Sequence, residues 1–476
     1  MSVTITHTLP DGARIVVPDS LNLITPYVLL EQQDWFEDEI KFVRRLLKPG
    51  QKVIDIGANY GVYTLSMAQA VGAAGRVWAF EPASSTAKLL AEGIKSNDFS
   101  HVVLEQSALS SVCGTAQLSL NEDSELNALA RGKSSAGTSE TVPLVTLDQC
   151  LERYDWQDIA FMKIDAEGEE ANILKGGERF FAEQSPLVQY EIKSGEGLSL
   201  KLVQDFAELG YASYRLVPGL GVLIPFDAES PPDAYLLNLF CCKPDRCKKL
   251  AGDGLLIDPS AYSAATADPK SKSVPGVANK SGNAYGWRDT IAKLPYGIQL
   301  ASVWEQRMVA GGNVELDEAL TFYAISRNVS LSAGERFAAL EASFKLFNLL
   351  CNREPSYLRL ASMARVARDY GDRGLAVNAL QQLSNTILRS KQVSLTEPFL
   401  APSERFDLLA PTRENIGSWV LAGVLEAVEL LGAFSSFYPG LLSRQRLEMI
   451  QALGFGDAQM KRRLDLLRKR FESGSA

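Results

Sequence analysis

The spacing of hydrophobic and polar residues changes at about residue 250 and divides the chain into two parts. Over residues 1–250, short apolar runs alternate with stretches in which apolar residues recur at helical spacing, which is typical of an α/β domain. Over residues 285–476 only the helical spacing remains, which predicts an all-α domain. Residues 251–284 have no periodicity and are rich in Ala, Ser, Pro, Gly and Lys, so we interpret them as a linker.

The apolar runs of the first part have the composition of buried parallel strands. A hairpin over residues 1–26 and a helix over Tyr27–Leu47 are predicted before them, and a helix from Gly61 to about Val71 follows the first run. The predicted strands are Val53–Ile56, Arg76–Phe80, Val102–Gln106, Ala116–Leu120, Val142–Val145, Ile159–Ile164, Leu187–Ile192, Tyr211–Val217 and Tyr235–Cys241. Strands that alternate with helices predict an open, mostly parallel sheet.

The first of these strands leads into a glycine-containing turn. Its sequence, VIDIGANYGVYTL from Val53 to Leu65, places Asp55 in the strand and Gly57 and Gly61 in the turn. Glycine permits a positive φ and the close approach of a ligand, so the turn predicts a nucleotide-type cofactor site at the carboxyl end of the strand. Asn59 occupies the second glycine position of the dinucleotide pattern, which disfavours a pyrophosphate ligand.

The second strand ends in Glu81-Pro82. A carboxylate at this strand end can accept hydrogen bonds from the vicinal hydroxyls of a ribose. The alternative is an incidental acid after an ordinary strand and turn. The turn and the acid together favour the cofactor site more strongly than either does alone.

Three segments in this order resemble a known family. They are DIGANYG at Asp55–Gly61, FEP at Phe80–Pro82 and KIDAEG at Lys163–Gly168, and they resemble the FkbM-type S-adenosylmethionine-dependent methyltransferases. The resemblance covers roughly Val28–Lys243, about half of the chain. It implies the class I methyltransferase fold, a Rossmann-like sheet with an antiparallel edge. It also implies methyl transfer from S-adenosylmethionine, usually to a hydroxyl of a sugar or secondary metabolite.

The strand ends and the resemblance together indicate the cofactor contacts. The small pair Ser107-Ala108 matches the family position that packs against adenine, and Glu37 matches an acid that lies near the cofactor. A solvated acid on a helix remains an equal interpretation of Glu37. The predicted cofactor-binding residues are Asp55, Gly57, Ala58, Asn59, Gly61, Glu81, Ser107, Ala108 and Glu37.

The predicted strand Ile159–Ile164 carries the catalytic candidates at its end. Only two histidines exist in the chain, so we expect a carboxylate to accept the proton of the acceptor hydroxyl. Asp165 is the first candidate and Glu167 the second, with Lys163 as their ion partner or, if burial lowered its pKa, as the base. The alternative is that these acids only organise the strand end. Two acids alone offer too few ligands for magnesium, so no metal is predicted.

Residues 110–141 are polar and include a segment longer than a structural loop normally needs. Long loops often cover active sites, so we predict a substrate lid. An insertion without a role is the alternative.

Composition excludes several classes of protein. A net charge of −9 argues against broad nucleic-acid binding. The six cysteines lack the spacing of a zinc site, and the sequence shows neither a signal peptide nor a transmembrane segment. These features predict a cytoplasmic protein with reduced thiols.

The helical part carries a weak repeat signal. Ala364, Gly371, Ala376 and Leu380 occupy tetratricopeptide-like positions, and Ala342 lies 34 residues before Ala376. A degenerate tetratricopeptide-like domain that binds a protein partner and an unrelated helical bundle are both compatible with this pattern.

Three functions remain open from the sequence. The first is an O-methyltransferase that acts on a carbohydrate or secondary metabolite. The second is a scaffold or binding protein with an inactive methyltransferase domain. The third, a nicotinamide-dependent oxidoreductase, is disfavoured by Asn59.

Overall fold

The computed structural model describes residues 3–121, 123–129, 138–194, 197–198, 200–258, 286–309, 311–412 and 414–473. The chain forms two compact units. The first comprises residues 1–216, 225–232 and 236–253, and the second comprises residues 217–224, 233–235 and 254–476. Two short segments before residue 250 therefore group with the second unit. Of the predicted linker, residues 259–284 lie outside the described residues, and Ile257 packs in the core of the second unit.

A mostly parallel sheet forms the centre of the first unit. Its strands are β3 (Lys52–Ile56), β4 (Arg76–Phe80), β5 (Val102–Glu105), β10 (Ile159–Ile164), β11 (Leu187–Glu191), β14 (Ala212–Val217) and β16 (Asn238–Cys242). Within this unit they lie in the order β14-β16-β11-β10-β3-β4-β5. The five strands from β11 to β5 are parallel, while β16 is antiparallel to both β11 and β14. This order confirms the predicted class I methyltransferase fold.

The register of the sheet brings polar residues together. Asp55 of β3 pairs with Lys163 of β10, and Lys163 pairs with Gln189 of β11. Paired residues in adjacent strands point to the same face of a sheet. Three polar side chains therefore lie side by side in the otherwise apolar centre of the unit.

The first unit contains nine described α-helices. They are α1 (Ile24–Gln32), α2 (Asp38–Leu46), α3 (Val62–Val71), α4 (Ser84–Ser96), α5 (Leu147–Tyr154), α6 (Glu170–Lys175), α7 (Glu178–Glu183), α8 (Lys201–Glu208) and α9 (Pro244–Gly252). The predicted helix after Gly61 is confirmed. The single helix predicted over Tyr27–Leu47 is wrong, because the chain leaves the helix at Gln33, whose φ is 60°. A left-handed residue ends a helix.

An aromatic cluster packs one face of the sheet. Trp156 lies edge-on to Trp78 and Phe80 of β4 and to Phe180 of α7, with ring centroids 5.6–6.4 Å apart. All four side chains are buried. Edge-to-face aromatic pairs contribute about 0.5–1.5 kcal/mol beyond their burial. The cluster holds the strand ends near the candidate site in fixed positions.

The remaining described strands are short, and most of them belong to the first unit. They are β1 (Thr4–Thr8), β2 (Arg14–Pro18), β6 (Ala108–Leu109), β7 (Gly114–Ser119), β8 (Ala128–Leu129), β9 (Ser139–Val145), β12 (Lys193–Ser194), β13 (Gly197–Leu198) and β15 (Val222–Pro225). The predicted leading hairpin is confirmed as β1 and β2. A small sheet has the order β6-β9-β7-β8, and its antiparallel β7 and β9 confirm the predicted pairing.

The second unit is helical. Its described α-helices are α10 (Pro295–Val309), α11 (Val314–Ser326), α12 (Ala333–Arg353), α13 (Tyr357–Tyr370), α14 (Arg373–Ser390), α15 (Glu404–Asp407), α16 (Ile416–Leu431), α17 (Leu441–Ala452) and α18 (Ala458–Ser473). Consecutive helices from α11 to α14 pack against one another, as do α14, α16, α17 and α18. Gly371, with φ at 95°, ends α13. The C-terminal helical region is thus confirmed, and its tetratricopeptide-like character stays a prediction.

Across the described part of the chain, we find no helix with the length and apolar composition needed to span a bilayer.

Candidate active site

A hollow, partly open to solvent, lies at the carboxyl ends of β3, β4 and β10. Ligands of open α/β sheets bind at this edge. Eleven of the twelve predicted site residues line it. They are Glu37, Asp55, Gly57, Ala58, Asn59, Glu81, Ser107, Ala108, Lys163, Asp165 and Glu167.

The two glycines of the turn have different roles. Gly57 has φ at 76°, and a β-carbon on it would lie 1.7 Å from the carbonyl oxygen of Asp165. Gly61 has φ at 96° and does not line the hollow; a β-carbon there would lie 2.4 Å from Leu90 Cδ1. Both positions therefore require glycine, as the sequence predicted. Packing between chain segments, rather than room for a ligand, accounts for both.

Glu81 is held rigidly at the end of β4. Its carboxylate accepts a hydrogen bond from the backbone N–H of Asn59 at 2.8 Å and another from that of Ala83 at 2.9 Å. Burial raises the pKa of Glu81 to about 7, although these two N–H donors oppose the shift. Each carboxylate oxygen can accept a second hydrogen bond. The group therefore retains acceptor capacity toward the hollow.

Asp55 is fully buried in β3. One carboxylate oxygen accepts a hydrogen bond from Thr64 Oγ1 at 2.5 Å, and Oδ1 has no partner among the described residues. Burial raises the pKa of Asp55, and the positive charge of Lys163 opposes this shift. A buried polar atom without a partner is unusual. An orphaned oxygen in the lining fits a ligand that brings a donor or a positive charge.

Lys163 and Asp165 form an ion pair at the end of β10. The Nζ atom of Lys163 lies 2.6 Å from Asp165 Oδ2, and the lysine side chain is 6% exposed while that of the aspartate is 34% exposed. Burial opposes the charge of Lys163, but the carboxylates of Asp165, Asp55 and Glu37 outweigh it and raise its pKa. The raised pKa disfavours Lys163 as the base and favours its other predicted role, that of ion partner. Lys163 is the fixed cation of the site.

Two further acids lie beside Asp165. Carboxylate oxygens of Asp165, Glu167 and Glu191 lie within 4.8 Å of one another. Loss of water around its carboxyl group, followed by the charges of Asp165 and Glu170, raises the pKa of Glu167 to about 7. Burial, followed by the charges of Asp165 and Glu167, raises the pKa of Glu191 to about 9. The three acids therefore do not all ionise at neutral pH.

Sequence reasoning missed Glu191 as a member of the site. The signal was present, because Glu191 ends a predicted strand adjacent to the strand that carries Asp165. Two acids are too few to hold a metal ion. The structure adds Glu191 to Asp165 and Glu167, which gives three oxygen ligands of the type that Mg²⁺ and Ca²⁺ prefer. The absence of a metal stays a prediction.

Glu37 lies in the segment between α1 and α2, immediately before α2 begins. Its carboxylate accepts a hydrogen bond from the hydroxyl of Tyr63 at 2.5 Å and lines the hollow. Burial raises the pKa of Glu37, and the nearby charge of Lys163 and the Tyr63 hydroxyl oppose this shift. The alternative of a solvated acid within a helix is wrong.

Residues 123–129 form one wall of the hollow. Asp123 accepts a hydrogen bond from the N–H of Ile24 at 2.9 Å, and Ser124 Oγ donates to Asn59 Oδ1 at 2.9 Å. Ser124, Glu125, Asn127, Ala128 and Leu129 all line the hollow. Residues 122 and 130–137 of the predicted lid lie outside the described residues. The role of this segment as a lid stays a prediction.

Comparison with known proteins gives one family match. Residues 55–212 match the model of the methyltransferase FkbM domain. The matched range spans β3 to the start of β14 and includes most of the hollow. No curated protein matches the sequence.

Comparison with solved structures gives similarity to several methyltransferases over part of the chain. Methyltransferase FkbM from Methylobacillus flagellatus is 15% identical, with 42% of this chain and 50% of that chain covered and a TM-score of 0.28. An S-adenosylmethionine-dependent O-methyltransferase from Thermotoga maritima is 15% identical, with 48% and 73% covered and a TM-score of 0.26. Fibrillarin from Aeropyrum pernix, bound to S-adenosylmethionine, is 10% identical, with 51% and 100% covered and a TM-score of 0.27.

The family match, not these neighbours, carries the identification. It falls on the segments that hold Asp55, Glu81 and Asp165, and the strand order is that of the class I methyltransferases. Residues 55–212 therefore contain a methyltransferase FkbM domain, in agreement with the resemblance of the three sequence segments.

Proposed function

We propose that the chain binds S-adenosylmethionine in the hollow and transfers its methyl group to a hydroxyl oxygen of a carbohydrate, glycan or secondary metabolite. One observation carries this proposal: Asp55, Glu81 and Asp165, which lie on three adjacent strands, meet at one hollow. The lining is rich in carboxylates, which complement the positive charge of a sulfonium.

The lining residues suggest how the cofactor lies. Glu81 accepts hydrogen bonds from the ribose hydroxyls, and the small side chains of Ser107 and Ala108 leave room for adenine. The loop Gly57–Asn59 passes beside the cofactor, while Glu37 lies near the sulfonium. Gly61 acts through helix packing rather than contact.

Bound S-adenosylmethionine supplies an electrophilic methyl group. The protein must then hold the acceptor oxygen in line with that group, which contributes roughly 7–11 kcal/mol in favourable cases. Asp165 takes the hydroxyl proton, because it is the partly exposed acid of the ion pair and Lys163 fixes its direction. A positioned base typically contributes about 10²- to 10⁴-fold in rate.

Glu167 is the second candidate for the base. Its pKa of about 7 matches proton transfer at neutral pH better than that of an ordinary carboxylate. The competing account is that both acids only organise the end of β10 and the approach to α6. Separate substitutions of the two acids distinguish these accounts.

Two calorimetric titrations test the cofactor. We expect wild-type protein to bind S-adenosylmethionine and to leave NAD⁺ unbound, whereas the reverse result would support the nicotinamide alternative. A screen with methyl-labelled cofactor against glycans and hydroxylated metabolites then tests the acceptor. Binding without transfer to any acceptor would favour an inactive domain.

The helical unit is a candidate for protein binding. Its consecutive helices pack against their neighbours in chain order, as in helical-repeat scaffolds. A cytoplasmic location is also part of the proposal, because all six cysteines are free thiols. Capture of a purified candidate partner by the full chain tests this role.

A further inference from the structure

Tyr63 is a buried tyrosine of α3 to which the proposed mechanism assigns no role. It is 5% exposed and lines the hollow. Its hydroxyl donates a hydrogen bond to Glu37 at 2.5 Å and accepts one from Gln189 Nε2 at 3.1 Å. The two bonds fix the direction of the hydroxyl group.

The ring of Tyr63 makes a second contact. The ammonium of Lys163 lies 4.9 Å from the ring centroid, within the range of a cation–π interaction. Lys163 in turn holds Asp165 at 2.6 Å. A single side chain therefore contacts both the acid Glu37 and the cation of the ion pair.

We propose that Tyr63 is a positioning residue that holds Glu37 and Lys163 in their places in the hollow, with the Glu37 carboxyl group directed toward the sulfonium. This inference rests on the proposed binding of S-adenosylmethionine. It assigns to Tyr63 a role in recognising the positive charge of the methyl donor.

The groups around Glu37 determine in which direction its pKa changes when the Tyr63 hydroxyl is removed. The pKa of Glu37 is affected by three neighbours, which are Tyr63 of α3, Lys163 of β10 and Asp165 after β10. The charge of Glu37 in turn raises the pKa of Glu39 in α2. Of these, the Tyr63 hydroxyl and the lysine favour the ionised form, whereas the acids and burial oppose it. Removal of the hydroxyl therefore raises the pKa of Glu37 further.

The hydroxyl remains a donor throughout the relevant pH range. Burial, together with the negative charges of Glu37 and Glu39, raises the pKa of Tyr63 well above its usual value. Tyr63 thus stays neutral while Glu37 titrates. A change in the pH dependence of cofactor binding would then report on a carboxyl group of the hollow and not on the phenol.

Tyr63→Phe is the direct test and Tyr190→Phe is its matched control. Tyr190 is also fully buried, and its hydroxyl also makes a hydrogen bond, to Ser213 Oγ at 2.8 Å, but it does not line the hollow. Each variant loses one buried hydroxyl. A purely structural role predicts similar effects of the two substitutions on stability and none on cofactor discrimination.

The measurement is calorimetric affinity for S-adenosylmethionine and S-adenosylhomocysteine between about pH 5 and 8, where a carboxyl group with a raised pKa titrates. The two ligands differ in the methyl group and its positive charge. In Tyr63→Phe we expect the preference for S-adenosylmethionine to fall roughly tenfold. We also expect its decline toward low pH to begin at a higher pH than in wild type, while Tyr190→Phe keeps the wild-type profile.

Equal profiles of Tyr63→Phe and wild type would overturn the inference while leaving the proposed function intact. Failure of wild type to bind either ligand would overturn the proposed function first. Glu37→Gln tests the other end of the same hydrogen bond if Tyr63→Phe does not fold. It should weaken the pH dependence of the preference, and a wild-type profile in that variant would contradict the proposal.

Discussion

Gly57 and Asp165 lie in backbone contact across the ends of β3 and β10, where a β-carbon on Gly57 would come within 1.7 Å of the carbonyl oxygen of Asp165. The N–H of Asp165 also donates to the carbonyl of Ile56 at 3.1 Å. This contact places the proposed cofactor loop beside the proposed base. The distance between the cofactor loop and Asp165 therefore depends on the absence of a β-carbon at residue 57.

Gly57→Ala should separate these strand ends and destabilise the first unit. The left-handed backbone alone costs about 1–2 kcal/mol for an alanine, and overpacking typically adds about 1–3 kcal/mol. Gly50→Ala is the control, because Gly50 has φ at 86° and open space around it. Urea unfolding should show a clearly larger loss for Gly57→Ala, and equal losses would contradict the contact.

Glu81→Ala should weaken binding of S-adenosylmethionine roughly 10- to 100-fold, because hydrogen bonds to a charged group are lost. The control is Glu105→Ala, at the end of the neighbouring β5, since Glu105 does not line the hollow. Calorimetric titration measures both variants. Unchanged affinity in Glu81→Ala would remove the ribose role from this carboxylate.

Asp165→Asn should reduce turnover by about 10²- to 10⁴-fold and alter cofactor affinity little. Glu167→Gln should have the smaller effect on turnover if Asp165 is the base. Methyl transfer to the acceptor identified by screening gives the rates. A fully active Asp165→Asn protein together with an inactive Glu167→Gln protein would identify Glu167, and not Asp165, as the base.

Glu191 should make the folded protein less stable as pH rises. Its pKa is about 9 in the folded state against a usual value of 4.5. Between these values the unfolded chain loses the proton before the folded chain does, so the free energy of unfolding falls as pH increases. Glu191→Gln should flatten this slope between about pH 5 and 9 in urea unfolding, and a wild-type slope in the variant would contradict the shift.

The local parts of this fold could be predicted from sequence, because their causes lie within a few residues. The strand, turn and helix around Gly57 and Gly61 followed from the pattern of glycines and apolar residues. The helix break at Gln33 carried no Gly or Pro signal. The contact of Phe42 in α2 with Phe240 of β16, at a ring-centroid distance of 5.3 Å, joins positions far apart in the chain and is not visible in the local pattern.

The site contacts that were not predicted from the sequence depend on the register between strands far apart in the chain. Tyr63 meets Gln189 across 126 positions of the chain, and Glu191 meets Asp165 only because β10 and β11 are adjacent and parallel. A single sequence does not contain that alignment of strands. Likewise, the raised pKa of Lys163 comes from three acids on separate segments.

A crystal structure of the protein with S-adenosylhomocysteine tests the central claim most directly. We predict the adenosyl group in the hollow, with the ribose hydroxyls within hydrogen-bonding distance of Glu81 and the sulfur on the side of Glu37 and Asp165. A ligand bound elsewhere, or a hollow that stays empty at saturating ligand, would contradict the account.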